Sequence, residues 1–588
     1  MSVREPRSGG IPAEHPGDAD EDERRRLSVF DLLGLAAGGV VGSCWVRSAS
    51  RAAGIAGFDA VWAWAIGGAL MLVIAIVMVE LGTAAPKTGG LVFLPLQSSG
   101  ALVATVVAAG LWTLYAINPA SEAAAMTDGL SAWVPGLFDP SGNALTVEGF
   151  LWSTLFMAVM VAVNLLAPRL FAKVNFLLTV WKVLVPVLIV VLLLAAGFDT
   201  RWVTAQRPGV GHGLEAALAA VVGSGVIYAY LGFQGPLDFA GNIRRRGVGE
   251  GARLRWSVYG TILGSIVLYL SLQVVFLGHL NPAQKAPQTS PYTQFAVAAS
   301  LLWVTPFIRL DTLLSPLGAG LVYTHVLTGE VAALSRAHLT HRGLQVARNA
   351  SLRLGGRLVD VYWMVLLVDF AIGWVALLLV GGSWGTLITA SSVLTLIVYA
   401  VPGVTLVALR RHLPRVSGRR TTVRRVLALL SFLLTGQVLY WAGWSALWPG
   451  LAALAAGCLL LLGLPMLARR HLPLVGGWFR RYDAKEHVTR FRDWRTPSSG
   501  AAPAIWLLGY LAVLSLLTLA ANSRIGFREH WVGSVLGVAA SGLAFHRLVV
   551  LSEDYADRVR PSLPTPTPAL PRPRAAGEDP DRISAASG

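Results

Sequence analysis

The sequence predicts an all-α integral membrane protein with about fourteen membrane-spanning helices, and three observations predict it. Hydrophobic residues make up 54% of the 588 positions and charged residues 14%, with a mean hydropathy of +0.60, well outside the composition of soluble domains. The apolar residues are gathered into runs of roughly 20, the length a helix needs to cross about 30 Å of hydrocarbon. The basic residues fall between those runs with a strong alternation.

Taken in order, the runs lie at 29–46, 59–83, 100–130, 149–168, 174–197, 215–241, 256–279, 310–334, 358–380, 385–408, 424–443, 446–468, 503–521 and 530–551. With the N-terminus on the cytoplasmic side, 39 of the 48 Lys and Arg residues fall in inside segments and 7 in outside loops (Arg47, Arg51, Arg201, Arg207, Lys285, Arg524 and Arg528). Lys182 and Arg309 fall in or near spans. Retention of basic residues on the cytoplasmic face explains this bias. The net charge of +16 therefore reports topology, and no nucleic-acid partner is implied.

Residues 1–27 carry mixed charge with Pro and Gly and no apolar core of a signal peptide, so they read as a disordered cytoplasmic tail. Residues 28–410 hold the first ten spans. Residues 411–555 hold four more, with a basic cytoplasmic loop at 469–502 that either meets a partner or lies on the anionic leaflet. Residues 556–588 are Pro-rich and read as a second cytoplasmic tail. Both termini are thus expected inside, in a multi-pass protein of the plasma membrane. The two cysteines, Cys44 and Cys458, each fall within a span and support neither a disulfide framework nor a thiolate metal site. There is no phosphate-binding Gly-rich loop, no HExxH or CxxC spacing and no nucleophile–base–acid set. Neither enzymatic activity nor a cofactor or metal is expected.

Two spans carry glycine where a helix should be continuous. The first contains GGVVGSCW (38–45) and the sixth VVGSGVIYAYLGFQGPLDFAGN (221–242). An unpaired peptide group costs several kcal/mol in hydrocarbon, so a broken helix survives only where protein or water lines the break. The two spans stand five apart, as the first helices of two inverted five-helix repeats would, and paired discontinuous helices at that position build a substrate site. A half-helix starting at Ser43 aims free N–H groups and a positive dipole end at an anion such as a carboxylate, while unwound carbonyls accept from an ammonium. Together they suit an amino acid zwitterion. Close helix packing through small residues is the other reading of the same glycines.

These segments resemble the amino acid–polyamine–organocation superfamily of permeases, most of all its fourteen-span branch that includes acidic amino acid/proton symporters. VVGSCW (40–45) is similar to the family's first-helix Gly-Ser-Gly motif and ELGTAAPKTGG (80–90) to its Glu-Leu…Pro…Gly-Gly loop. NFLLTVWKVLVP (175–186) is similar to its fifth-helix motif and YLGFQGPLDFAGN (230–242) to its sixth-helix Gly-Phe segment. SPLGAGLVYT (315–324) and 383–414 match its eighth and tenth helices. The resemblance runs in order from about 28 to 555 and implies a LeuT-like 5+5 inverted-repeat core that moves a substrate by alternating access. It implies that the backbone amides of Ser43 and Cys44 bind a carboxylate and the carbonyls of Val40, Tyr228 and Leu231 an amine, that aromatic residues of span six close the site, and that Gly42, Gly232, Phe233 and Gln234 belong to the same substrate site. It also gives Lys182 the role of a proton-coupling group.

Ionisable residues inside spans default to functional candidates. Lys182 has no acid near it in sequence; it either couples transport to a proton or snorkels to the interface. Glu122, mid-span in WTLYAINPASEAAAM, either touches the substrate path or pairs with a neighbour. Asp311 is expected with Arg309 at the outer mouth of span eight, holding gate geometry, and Glu80 is expected to pair with loop arginines such as Arg244. The expected function is amino acid transport by proton symport, with the lipid bilayer and the proton as partners. An exchanger, an exporter of an amino-acid-derived product, and a transport-dead sensor or scaffold motivated by Cys44, Gln234 and Asn242 are the alternatives. Spans eleven to fourteen would pack around the core or mediate a homo-oligomer.

Overall fold

The computed structural model describes residues 36–559 except for 86–89, 140–143, 167, 198, 206–208, 239–249, 282–290, 337–339, most of 342–359, 414–417, 468–499 and 523–529. The expected tail 1–27, nearly all of the loop 469–502, Arg244 and Asn242 lie outside the described residues.

Among the described residues the chain is mainly helical, with a two-residue antiparallel pairing of Arg348–Asn349 with Asp360–Val361 and an isolated bridge between Phe138 and Leu145. The first span opens with α1 (36–40), loses helical form over 41–43 and resumes as α2 (Cys44–Ala56). α2 runs well past the expected end at 46, which corrects one expectation: Arg47 and Arg51 lie on a helix and not in a loop. There follow α3 (Ala60–Ala84), a short α4 (Gly90–Ser99), α5 (Ala101–Leu130), α6 (Val147–Leu166), α7 (Pro168–Ala196) and a single turn α8 (Thr200–Val203). The sixth span is divided into α9 (Gly213–Gly223), α10 (Val226–Ala229) and α11 (Gly235–Asp238). Then come α12 (Glu250–His279), α13 (Pro291–Ala298), α14 (Thr305–Arg336), α15 (Trp363–Leu379) and α16 (Trp384–Ala408). The last four are α17 (Gly418–Trp441), α18 (Trp444–Leu467), α19 (Ala501–Asn522) and α20 (His530–Val559). α20 carries its helix past residue 556, where the C-terminal tail was expected to begin.

The fourteen apolar runs fall mainly on helix where they are described, apart from the breaks in the first and sixth and the strand residues Asp360–Val361 at the start of the ninth. Among the described residues, ten helical stretches are long and apolar enough to cross a membrane, with α2 and α3 together forming one of them. α1 and α9–α11 escape that measure because they are broken, and α15 because it has 17 residues.

Two helices form the centre. α5 is buried from Ala101 to Gly129, and α16 is buried along nearly its whole length. Both are rich in Ala, Gly, Ser and Thr, whose small side chains allow neighbouring backbones to approach: a Cβ at Gly110 of α5 would stand 2.6 Å from Val398 of α16. The outer helices face outward with large apolar side chains, among them Leu151 and Leu155 on α6 and Phe176, Leu177 and Leu184 on α7. Such faces are stable only against hydrocarbon. This is a multi-pass membrane protein.

The two breaks are made differently. In the sixth span Gly225 and Gly232 take φ values of +84° and +113°, conformations that L side chains avoid, and Pro236 follows in α11. In the first span the glycines take no left-handed φ and instead make room. A Cβ at Gly39 would come within 2.8 Å of the Gly232 Cα, and one at Gly42 within 3.0 Å of the Glu122 carboxylate. The broken segments therefore lie directly against each other. Gly67 and Gly68 of α3 serve the same packing, their missing side chains filled by Val226, Ile266 and the Tyr230 hydroxyl.

Candidate functional site

The start of α2 leaves backbone N–H groups without helical partners, and a carboxylate meets them. Glu122 projects from the middle of α5 with no solvent exposure. Its Oε2 accepts the Ser43 N–H at 3.0 Å, and its Oε1 accepts the Ser43 hydroxyl at 3.2 Å. Oε1 also accepts the Tyr228 hydroxyl at 2.8 Å, and that hydroxyl lies 2.5 Å from Ser121 Oγ. Trp384, the first residue of α16, donates its indole N–H to Ser43 Oγ at 3.0 Å. One carboxylate thus ties together α2, α5 and the break of the sixth span.

The carbonyls that α1 leaves unpaired are also engaged. Lys182 of α7 donates its ammonium to the Gly38 carbonyl. Tyr323 of α14 donates to Gly39 O at 3.3 Å and Tyr269 of α12 to Val40 O at 2.9 Å. Lys182 is wholly buried and lies beside Gly318, where a Cβ would stand 3.2 Å from Nζ. The snorkelling alternative is thereby removed.

Asp311 is not at an open mouth. It is fully buried, its Oδ2 accepts the Trp45 indole N–H at 2.7 Å, and Ser315 donates to both of its oxygens at 2.9 and 2.8 Å. It holds α14 against the first turn of α2, while Arg309 two residues earlier is exposed. Glu80 meets Arg420 at 2.9 Å and Arg424, both on α17, among the described residues.

The sixth-span residues cap their own break. Leu231 N–H donates to Tyr228 O at 3.1 Å, and Gln234 Oε1 accepts the Gly232 N–H at 2.8 Å while its amide reaches Tyr115 OH at 3.4 Å. Phe233 packs edge-on against Tyr399 with centroids 5.9 Å apart. Cys44 Sγ lies 3.7 Å from the Gly225 carbonyl and so links the two breaks.

The structure thus brings Val40, Gly42, Ser43, Cys44, Tyr228, Leu231, Gly232, Phe233 and Gln234 into one buried region, with Lys182 and Glu122 inside it and Asp311 on its edge. Sequence reading missed Trp384, Tyr269, Tyr323, Tyr115 and Ser121. Each is one polar side chain in a long apolar helix, a pattern indistinguishable from ordinary packing until tertiary contacts assign it a partner.

A buried polar centre between two broken helices, inside a bundle with apolar outer faces, is that of a multi-pass membrane protein. Residues 27–468 match the family described as amino acid permease, and the chain belongs to that family. It is 26% identical over 547 residues to the glutamate/serine transporter AimA of Bacillus subtilis (strain 168), covering 89% of this chain and 93% of that protein. It is likewise 26% identical over 532 residues to the aspartate-proton symporter of the same organism, covering 87% and 92%.

Proposed function

We propose that the protein is a fourteen-span secondary transporter of the plasma membrane, with both termini cytoplasmic, that carries an amino acid together with a proton by alternating access of a 5+5 inverted-repeat core. The observation that carries this reading is the seat of Glu122. A carboxylate already rests on the free N–H of Ser43, at the positive end of α2, in the geometry a substrate α-carboxylate would need. The first broken helix is therefore a carboxylate cradle.

On this reading the substrate carboxylate takes over the Ser43 N–H, and Glu122 withdraws toward Tyr228. The substrate ammonium takes the carbonyls of Gly39 and Val40 from the two tyrosine hydroxyls. Lys182 holds the coupling proton, because its bond to Gly38 O ties its charge state to the position of α1. The names of the two relatives make aspartate, glutamate and serine the first substrates to test.

The test is uptake of radiolabelled L-aspartate, L-glutamate and L-serine into proteoliposomes, with and without an inside-alkaline pH gradient. Accumulation above equilibrium that collapses with a protonophore is the expected result. Binding without accumulation would assign the protein to the sensor class instead, and uptake indifferent to the gradient but driven by internal substrate would make it an exchanger.

A further inference from the structure

Three arginines from two helices converge on one carboxylate near the end of α3. Glu80 Oε1 lies 2.9 Å from Arg420 of α17 and 4.0 Å from Arg255 of α12, and its Oε2 accepts Arg424 Nε at 2.8 Å. Among the described residues no second carboxylate meets any of the three, so three guanidinium groups against one carboxylate leave a surplus of two positive charges. Arg255 Nε is buried and has no hydrogen-bond partner among the described residues. Trp256, the next residue, is 74% exposed, as the aromatic side chains of an interfacial belt are.

An open lane leads from this cluster toward the middle of the bilayer. One face of α3 meets α12, where Ile266 fills the space left by Gly68 and Trp64 donates its indole N–H to Gln273 at 2.8 Å. Another face meets α17, where Leu427 packs against a cluster that includes Val77 and Leu81. Between these two faces run Ala69, Val73, Ile76 and Glu80, a single strip at helical spacing. Ala69 is exposed and the other three are partly exposed. Leu263 on α12 and Val423 and Leu430 on α17 are exposed on the flanking helices.

The strip spans eleven residues, about 16 Å at 1.5 Å per residue, which is about half of the 30 Å hydrocarbon thickness. An acyl chain within one leaflet has that reach. The uncompensated guanidinium charge at its interfacial end calls for an anion, and phosphate matches it in charge and hydrogen-bonding geometry. A single molecule with an anionic head and an apolar tail satisfies both ends.

We propose that the groove over α3, between α12 and α17, binds an anionic glycerophospholipid, with the phosphate on Arg255 and Arg420 and an acyl chain along Ala69, Val73 and Ile76. Arg424 stays with Glu80. The site is separate from the buried centre and does not depend on what that centre carries. Its test is native mass spectrometry of the full-length protein in detergent, titrated with palmitoyl-oleoyl phosphatidylglycerol or phosphatidylcholine, for wild type, R255Q/R420Q, A69W and the control R309Q, which changes an exposed charge on α14. Thermal melting confirms that each is folded. The double variant removes the surplus charge and keeps the pair of Arg424 with Glu80. The first phosphatidylglycerol should bind wild type and R309Q roughly tenfold tighter than phosphatidylcholine, a preference that R255Q/R420Q loses, and A69W should weaken its binding several-fold. Equal affinity for the two lipids in wild type overturns the proposal, as does a preference that survives R255Q/R420Q. Soluble glycerophosphoglycerol that binds as tightly as the lipid, with A69W without effect, means that free phosphate is the occupant and also overturns it. If R255Q/R420Q fails to fold, A69W decides: an unchanged affinity for phosphatidylglycerol refutes the groove, and a several-fold loss supports it.

Discussion

Replacing Glu122 with glutamine distinguishes a carboxylate that guards the cradle from one that grips the substrate. Glutamine keeps the shape of the side chain and removes its charge. A hydrogen bond to a charged group is worth about 1.5–3 kcal/mol and a neutral one about 0.5–1.5, so each bond from Ser43 weakens by about 1 kcal/mol. Two such bonds are formed, at 3.0 and 3.2 Å, and the favourable placement of a negative charge at the start of α2 is lost as well. If the incoming carboxylate must displace Glu122, E122Q makes displacement easier by about 1–2 kcal/mol, which is about 5- to 30-fold in apparent affinity at 1.4 kcal/mol per decade. The assay is equilibrium binding of radiolabelled L-aspartate to wild type and E122Q in nanodiscs, with Ser43→Pro as the control that removes the N–H. Tighter binding by E122Q is expected. Binding weakened tenfold or more refutes the reasoning, because it would mean that Glu122 contacts the substrate ammonium directly and stays in place.

Three other outcomes follow from the same geometry. Lys182→Gln removes the ammonium on the Gly38 carbonyl, so pH-driven uptake should vanish while counterflow exchange persists; uptake that still responds to the gradient removes Lys182 from coupling. Gly232→Ala forces a side chain into φ +113° and to 2.6 Å from Val40 N, a strain of order 1–3 kcal/mol before the clash is counted. It should abolish aspartate binding, whereas Gly264→Ala, with nothing within 4 Å, should behave as wild type. Trp112 donates to the buried Asp369 at 2.5 Å, whose other oxygen lacks a hydrogen-bond partner among the described residues. Trp112→Phe should lower thermal stability by about 1–3 kcal/mol and leave the Km for uptake within twofold, and a large change in Km would bring that pair into the substrate path.

The legibility of the chain was uneven for physical reasons. Hydrocarbon demands about 20 apolar residues and a paired backbone, so the positions of the helices and the two breaks could be read from local sequence. Helix ends were read less well. The polar residues of α2, Arg47 and Arg51 among them, suggested a loop, yet they are carried on a helix whose charges are met by Asp128, Trp384 and the Gly223 carbonyl. Glu80 was expected to meet a loop arginine such as Arg244, which lies outside the described residues, and it meets two arginines some 340 residues away on α17.

The sequence by itself determined that the protein lives in a bilayer, that it has broken helices in its first and sixth spans, and that Lys182 is a charge inside the membrane. Only the tertiary structure decided that Glu122 occupies the free end of α2, that Asp311 is buried against Trp45, and that tyrosines from α12 and α14 cap the opened carbonyls. The division has one cause. Apolar length and glycine breaks are properties of consecutive residues, while a hydrogen bond between positions 43 and 122 depends on how separate helices cross, and that crossing is set by small residues distributed over the whole chain.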